Sequence, residues 1–187
     1  MDLAELEQLL DDVLTTTKLA LDERRAAEPE LMLHKESLAS GTIAERSVER
    51  FRAQHPTRPV ELSVDPSAPK IEADPILLRR VLDNLLENAH KYSPEPTTAI
   101  SLDVSTHDGR ARFVVTDRGE GIAKDDLVHV FDPFFRADRS RTRGTGGVGL
   151  GLTLAKRITM AHGGTIAIES PAVDGRGTRV EISLPIA

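Results

Sequence analysis

Cysteine is absent from the 187 residues, which excludes disulfides and thiolate-held metals and is compatible with a reducing compartment. Tryptophan is also absent and tyrosine occurs once, so aromatics reach only 3% and offer little surface for stacking nucleic-acid bases. Basic charge is in deficit: 24 Lys and Arg against 30 Asp and Glu leave a net charge of −6, which counts against a general nucleic-acid binder. No apolar run approaches the ~20 residues that cross a bilayer. A basic-then-apolar leader with a small-residue cleavage site is not visible. What is present is 39% hydrophobic and 29% charged residues, enough for one sizeable domain or one domain with a short appendage.

The first 25 or so residues read as a helix. Leu3, Leu6, Leu10, Val13, Thr17 and Ala20 recur in steps of three and four, and Leu14 and Leu21 widen the stripe. Such a helix packs either on its own domain or on a second helix in a dimer. Glu28-Pro29-Glu30 interrupts it. A division follows: residues 1–26 as an appended helix, 27–187 as the main domain.

Within that domain Leu31 to His34 reads as a short strand, and a helix is expected from near Gly41 to Gln54, ahead of His55-Pro56. Val60 to Val64 alternates as a strand. Asp74-Pro75 opens a second helix, with a capping carboxylate and a proline in the first turn, running to about Tyr92 before Ser93-Pro94. Strands are expected at Thr98 to Thr106 and Arg110 to Thr116, joined through Asp108-Gly109. A helix should open near Gly151 and end near Ala161, with strands at Thr165 to Glu169 and Thr178 to Leu184. Helices interleaved with mostly antiparallel hairpins suggest an α/β (α+β) two-layer sandwich, a mixed sheet with helices on one face.

Four segments could carry chemistry. On the helix from Asp74, an apolar face of Leu78, Val81, Leu82, Leu85 and Ala89 leaves Asn84, Glu87, Asn88 and Lys91 on a separate stripe. Amide oxygens suit magnesium without adding negative charge, although a solvated helix face explains the stripe equally well. Asp117-Arg118-Gly119-Glu120-Gly121-Ile122 follows a strand: an acid and then alternate glycines leave room for a flat ligand, or merely make a turn. Phe131-Asp132-Pro133-Phe134-Phe135 leads into Arg136, Arg139, Arg141 and Arg143, which either reach phosphates or form a solvated basic loop. Gly144-Thr145-Gly146-Gly147-Val148-Gly149-Leu150-Gly151 opens a helix and is either an anion cradle or a hinge. It is not a P-loop, since no Gly-Lys-Ser/Thr follows, nor a Rossmann turn, since no strand directly precedes it. Gly175-Arg176-Gly177-Thr178 needs nothing beyond a hairpin turn.

Taken in order, Asn84-Leu-Leu-Glu-Asn88-Ala-His-Lys91-Tyr92, Asp117-x-Gly119-x-Gly121, Phe131-x-Pro133-Phe134-Phe-Arg136 and Gly147-x-Gly149-Leu-Gly151 resemble the N, G1, F and G2 boxes of the sensor histidine kinases. The resemblance covers about Leu31 to Ile186. It implies the Bergerat-type ATP-binding fold and transfer of the ATP γ-phosphoryl group to a histidine, with ATP and Mg2+ as cofactors. It further implies Asn88 as the main magnesium ligand with Asn84 in support, Lys91 on phosphate, Tyr92 against the nucleotide and Asp117 on the adenine amine. Gly119, Gly121 and Ile122 would make room for the base. Gly147, Gly149, Leu150 and Gly151 would approach the phosphates, and Phe134, Arg136 and Thr178 would complete the lining. Asn84, Glu87 and Lys91 are the catalytic candidates.

By the same resemblance, residues 1–26 look like the end of a dimerisation-hairpin helix. The partners implied are a phosphoacceptor dimerisation domain, in a homodimer of the full-length kinase, and a response regulator, with no nucleic acid. The domain would be cytoplasmic, the full-length protein membrane-anchored or not. The acceptor in that family is a histidine followed by an acid and Arg-x-Pro, and none of the six histidines here has that context. Self-phosphorylation of this chain alone is therefore not expected. Two other readings stay open: a serine kinase of the anti-sigma-factor type, against which Asn84 counts because a glutamate usually stands there, and a non-catalytic nucleotide-sensing module.

Overall fold

The computed structural model describes residues 33–93, 95, 97–136 and 149–187. The heptad-patterned residues 1–26 lie outside them, as do Leu31 and Met32.

A helix in the middle of the chain organises the rest. Asp74 caps it, its carboxylate accepting from the Ile76 and Leu77 amides at 3.0 and 3.1 Å, and Pro75 occupies the first turn, where its missing N–H costs nothing. The helix, Pro75–Lys91 (α2), buries Leu78, Val81, Leu82, Leu85, Leu86 and Ala89, the face its periodicity marks out. Helix α1, Ser40–Gln54, buries Ile43, Ala44, Val48 and Phe51. Helix α3, Gly151–Ala161, buries Leu154, Ala155 and Ile158. Both flank α2.

All three lie on one sheet. Its strands are β2 (Val60–Val64), β4 (Ile100–His107), β5 (Arg110–Thr116), β6 (Thr165–Glu169) and β7 (Arg179–Pro185), in the order β2-β4-β5-β7-β6. Only β2 and β4 run parallel among these neighbours. The β4–β5 hairpin turns through Asp108 and Gly109, both at positive φ (48° and 69°), the backbone that a two-residue hairpin of this twist demands. One sheet face is apolar and buried: Ile100, Leu102 and Val104, Ala111, Phe113 and Val115, Val180, Ile182 and Leu184. The opposite face carries Ser101, Asp103, Arg112, Glu181 and Ser183, with Arg112 Nη2 2.6 Å from Glu181 Oε2. The expected two-layer α/β sandwich, with a mixed, mostly antiparallel sheet and helices on one face, is thus observed.

One strand moves. Leu33, His34 and Lys35 form no ladder; the strand is Glu36–Ala39 (β1), antiparallel to Lys70–Ala73 (β3) in a separate two-stranded sheet. The apolar run Leu31–Leu33 favours a strand by local pattern alone. Register here is set by long-range pairing of Leu38 with Ile71, which no local pattern announces.

Candidate functional site

The site is assembled where α2 ends, α3 begins and β5 runs out. Asn84 and Asn88 lie one turn apart on α2. Asn84 is buried and its Nδ2 has no hydrogen-bond partner among the described residues. Gly151, first residue of α3, faces them: a Cβ placed there would stand 3.6 Å from Asn88 Nδ2 and 3.9 Å from both Asn88 Oδ1 and Asn84 Cγ. Among the described residues no side chain caps α3, whose first-turn N–H groups lack partners within the helix and lie beside the two amides. Leu150 is buried and adds apolar packing rather than a polar side-chain contact. Thr153 in the first turn donates its hydroxyl to the Phe131 carbonyl at 3.0 Å, tying the phenylalanine segment to α3.

That segment meets the glycine segment directly. The Phe134 amide donates to Gly149 O at 3.0 Å. Gly149 has φ +76°, and a Cβ on it would lie 2.6 Å from Phe135 O, so both backbone and contact require glycine. Phe134 itself has φ +64° and is 64% exposed. Arg136 is exposed. Gly147, Arg139, Arg141 and Arg143 lie outside the described residues.

At the other end Asp117 closes β5. It is buried, and its Oδ1 accepts from the Gly119 amide at 2.7 Å and the Thr178 amide at 3.3 Å. Burial pushes its carboxyl above the usual carboxylate range; the two backbone amides, the neighbouring Ser93 hydroxyl and the charge of Arg58 pull it back only partly. The turn is packed to the limit. A Cβ at Gly119 would sit 2.1 Å from Tyr92 O, and the Glu120 amide donates to that same carbonyl at 3.3 Å. Gly121 rests against Ser170, whose hydroxyl accepts from Ile122 N (2.8 Å) and donates to Gly177 O (2.9 Å).

Lys91 and Tyr92 stand between the two ends, with the Lys91 amine 5.8 Å from the Tyr92 ring centre and the tyrosine half-exposed. Glu87 is turned towards α1: its Oε1 is 2.7 Å from His55 Nε2, and the His55 and His90 rings are 4.1 Å apart. It is thus already paired rather than free on the asparagine stripe.

Sequence reasoning missed Arg58, Ser93, Ser170 and Gly177. Gly175-Arg176-Gly177 does belong to a hairpin turn, with Val173 bridged to Arg176. Gly177 has a second task, because a Cβ on it would meet Asp117 O at 2.0 Å. That signal, a second glycine beyond a completed turn, was present in the sequence.

An acid-glycine turn beyond the end of α2 and paired amides on α2 facing the start of α3 suit an elongated ligand with a flat base and an anionic tail. The family profile described as histidine kinase-, DNA gyrase B- and HSP90-like ATPase matches residues 73–187. The chain belongs to this ATPase family. Its relatives place it with the histidine-kinase branch. It is 44% identical to the sensor histidine kinase WalK of Bacillus subtilis over 116 residues, 62% of this chain and 19% of that protein. It is 35% identical to the sensor protein RstB of Escherichia coli across 99% of this chain and 40% of RstB. The mycobacterial sensor histidine kinase MprB superposes with a TM-score of 0.70 at 32% identity, covering 81% of this chain and 97% of that one. Full-length ShkA, solved in complex with AMPPNP, gives 0.78 at 28% identity, covering 97% and 36%. This ATPase chain therefore spans a fifth to two fifths of the length of WalK and RstB. Among the described residues no helix is long and apolar enough to cross a membrane.

Proposed function

We propose that this domain binds ATP with magnesium and donates the γ-phosphoryl group to a histidine on a dimerisation domain of a two-component kinase, from which a response regulator then receives it. The observation that carries the reading is the pairing of Asn84 and Asn88 with the uncapped start of α3, set apart from a buried carboxylate at Asp117. ShkA, a protein of the same fold, is known in complex with an ATP analogue, AMPPNP.

The division of labour follows from the chemistry of each group. Asp117, fixed by two backbone amides, accepts from the exocyclic amine of adenine. Gly119 and Gly121 keep that wall flat, with Ile122 and Thr178 beside it, and Tyr92 offers a ring to the nucleotide. Lys91 and Arg136 supply cations for the phosphates, and Gly149 and Gly151 supply backbone approach. The residues present fit a magnesium ion: the buried Asn84 amide stands beside a second amide, Asn88, and their two neutral oxygens would leave coordination positions for phosphate and water. Asn88 would hold the ion with Asn84 in support. Magnesium would contribute neutralisation of charge on the phosphates.

Transfer breaks the bond from the γ-phosphorus to the bridging oxygen, forms a phosphorus–nitrogen bond to the incoming imidazole and releases ADP. The imidazole is the nucleophile, so the domain's task is positioning and electrostatic stabilisation. Asn84 cannot take a proton from water, which disfavours hydrolysis as the main reaction. Glu87 is a carboxylate on the same helix that would polarise the acceptor by exchanging His55 for that histidine.

The test is phosphotransfer. With magnesium-ATP and the acceptor helix hairpin of its own kinase, the chain should label the hairpin histidine, read by mass spectrometry under alkaline conditions. Binding without transfer would point to a nucleotide-sensing module, and transfer to serine to a kinase of the anti-sigma-factor type.

A further inference from the structure

Arg58 belongs to none of the four motifs, yet it is 5% exposed and sits beneath the adenine end of the site. It lies in the turn between α1 and β2, which is pinned at both sides: the Arg58 amide donates to His55 O at 3.0 Å, and Ile100 N donates to Pro59 O at 3.1 Å. From this fixed base Nη1 donates to Ser93 O at 3.0 Å and to Glu95 O at 2.6 Å. Ser93 and Glu95 follow α2 directly. The adjoining Tyr92 carbonyl is the surface that Gly119 touches and that the Glu120 amide bonds at 3.3 Å. The Ser93 hydroxyl would lie 2.9 Å from a Cβ on Gly119. A continuous path of contacts thus runs from Arg58 through the exit of α2 to the turn that carries Asp117.

We propose that Arg58 is a positioning residue for adenine recognition: its buried guanidinium fixes the chain leaving α2, and that chain fixes the Asp117–Gly121 turn. This rests on the reading of Asp117 as the adenine acceptor. A second effect follows from charge. Arg58 is the charged group acting on the Asp117 carboxyl, while Arg118 and Glu120 of the same turn point to solvent. Burial raises the carboxyl and Arg58 opposes the rise. Only the ionised form accepts freely from an amine, so adenine affinity falls as pH drops through the Asp117 titration. Removing the arginine charge moves that fall to higher pH. Both carbonyls are held by the single nitrogen Nη1, which the rigid guanidinium plane fixes in place; lysine keeps the charge, but its ammonium on a flexible stem is not held at that point.

The experiment is calorimetry of ADP with magnesium from about pH 5 to 8, on the parent chain, Arg58→Gln and Arg58→Lys, each checked for folding by circular dichroism. Arg58→Gln should weaken ADP by about tenfold, the size of one lost charge-assisted contact, and shift the acid limb upward. Arg58→Lys should bind more weakly than the parent yet keep the parental acid limb. A folded Arg58→Gln with parental affinity and pH profile overturns the proposal. Where Arg58→Gln does not fold, Arg58→Lys decides: weaker binding with an unmoved limb supports the role, and parental affinity overturns it. A parent chain that binds no ADP overturns the adenine reading itself, together with this role.

Discussion

Asp117 is a buried acid kept ionisable by two amides and a distant guanidinium, and its environment suits recognition better than stability. Asn at this position offers the same Oδ1 to Gly119 N and Thr178 N while removing the charge that burial disfavours. Asp117→Asn should therefore leave thermal stability unchanged or higher and weaken ADP by ~1–3 kcal/mol, the cost of an amine left without its acceptor. Calorimetry beside a melting curve checks both; parental ADP affinity would remove Asp117 from its role.

His162 gives a second prediction at this scale. It ends α3 and joins it to the start of α2: Nδ1 donates to Ile158 O at 2.7 Å, and Nε2 accepts from the Asp74 amide at 2.9 Å. The second bond requires the neutral ring, since only an unprotonated Nε2 can accept; the first persists in the charged ring. Burial holds its pKa below the ordinary 6.5, with Lys35 acting the same way and Asp74 and the Ile158 carbonyl opposing. A group whose folded pKa is depressed is protonated more readily when unfolded. Its stabilising contribution is present above the unfolded pKa and lost as pH falls below it. Between about pH 7.5 and 5 the parent should lose more stability than His162→Gln in urea unfolding. Identical pH slopes would show that His162 is not the joint.

At the scale of elements, the three described helices were legible and the small sheet was not. The α2 stripe, its Asp74 cap and its Pro75 start are local signals within one segment, so each could be read from spacing alone. The Asp108-Gly109 hairpin was legible for the same reason. Strands β1 and β3 have four residues each and are defined only by one another across 30 residues of chain. Glycines that look alike in sequence also separate here. Gly149 has φ +76° and no room for a methyl, whereas Gly151 has ordinary van der Waals space towards Asn84 and Asn88. Gly149→Ala should cost about 1–3 kcal/mol of stability through backbone strain and collision, and Gly151→Ala much less. Gly151→Ala should instead weaken nucleotide, because its methyl intrudes between the amides and the start of α3. Equal melting temperatures for the two variants would contradict this division.

At the scale of the molecule, one face of a five-stranded sheet carries three helices, and the site lies along the central one. The order of four short motifs made the family legible although each motif was weak by itself. What stayed hidden were supports that act through backbone carbonyls. Arg58 and Ser170 make contacts set by chain folding, and nothing in their neighbours' identities marks them. Glu87 was legible as part of a polar stripe, but its pairing with His55, just past the end of α1, was not. Because ligand binding to the folded state stabilises it, magnesium-ADP at a hundred times its dissociation constant should add about 2.7 kcal/mol.

The central claim is that Asn84, Asn88, Asp117 and the glycine turns form one magnesium-nucleotide site. The most direct measurement is titration calorimetry of ADP into the chain with and without magnesium, repeated on Asn88→Ala. Saturable ADP binding is expected in the range of about 1 μM to 1 mM, the general span of enzyme KM values, and should weaken without magnesium. The Asn88→Ala variant should bind weakly and be indifferent to the metal. A folded parent that gives no heat at millimolar ADP, or an Asn88→Ala variant with undiminished magnesium dependence, would contradict it.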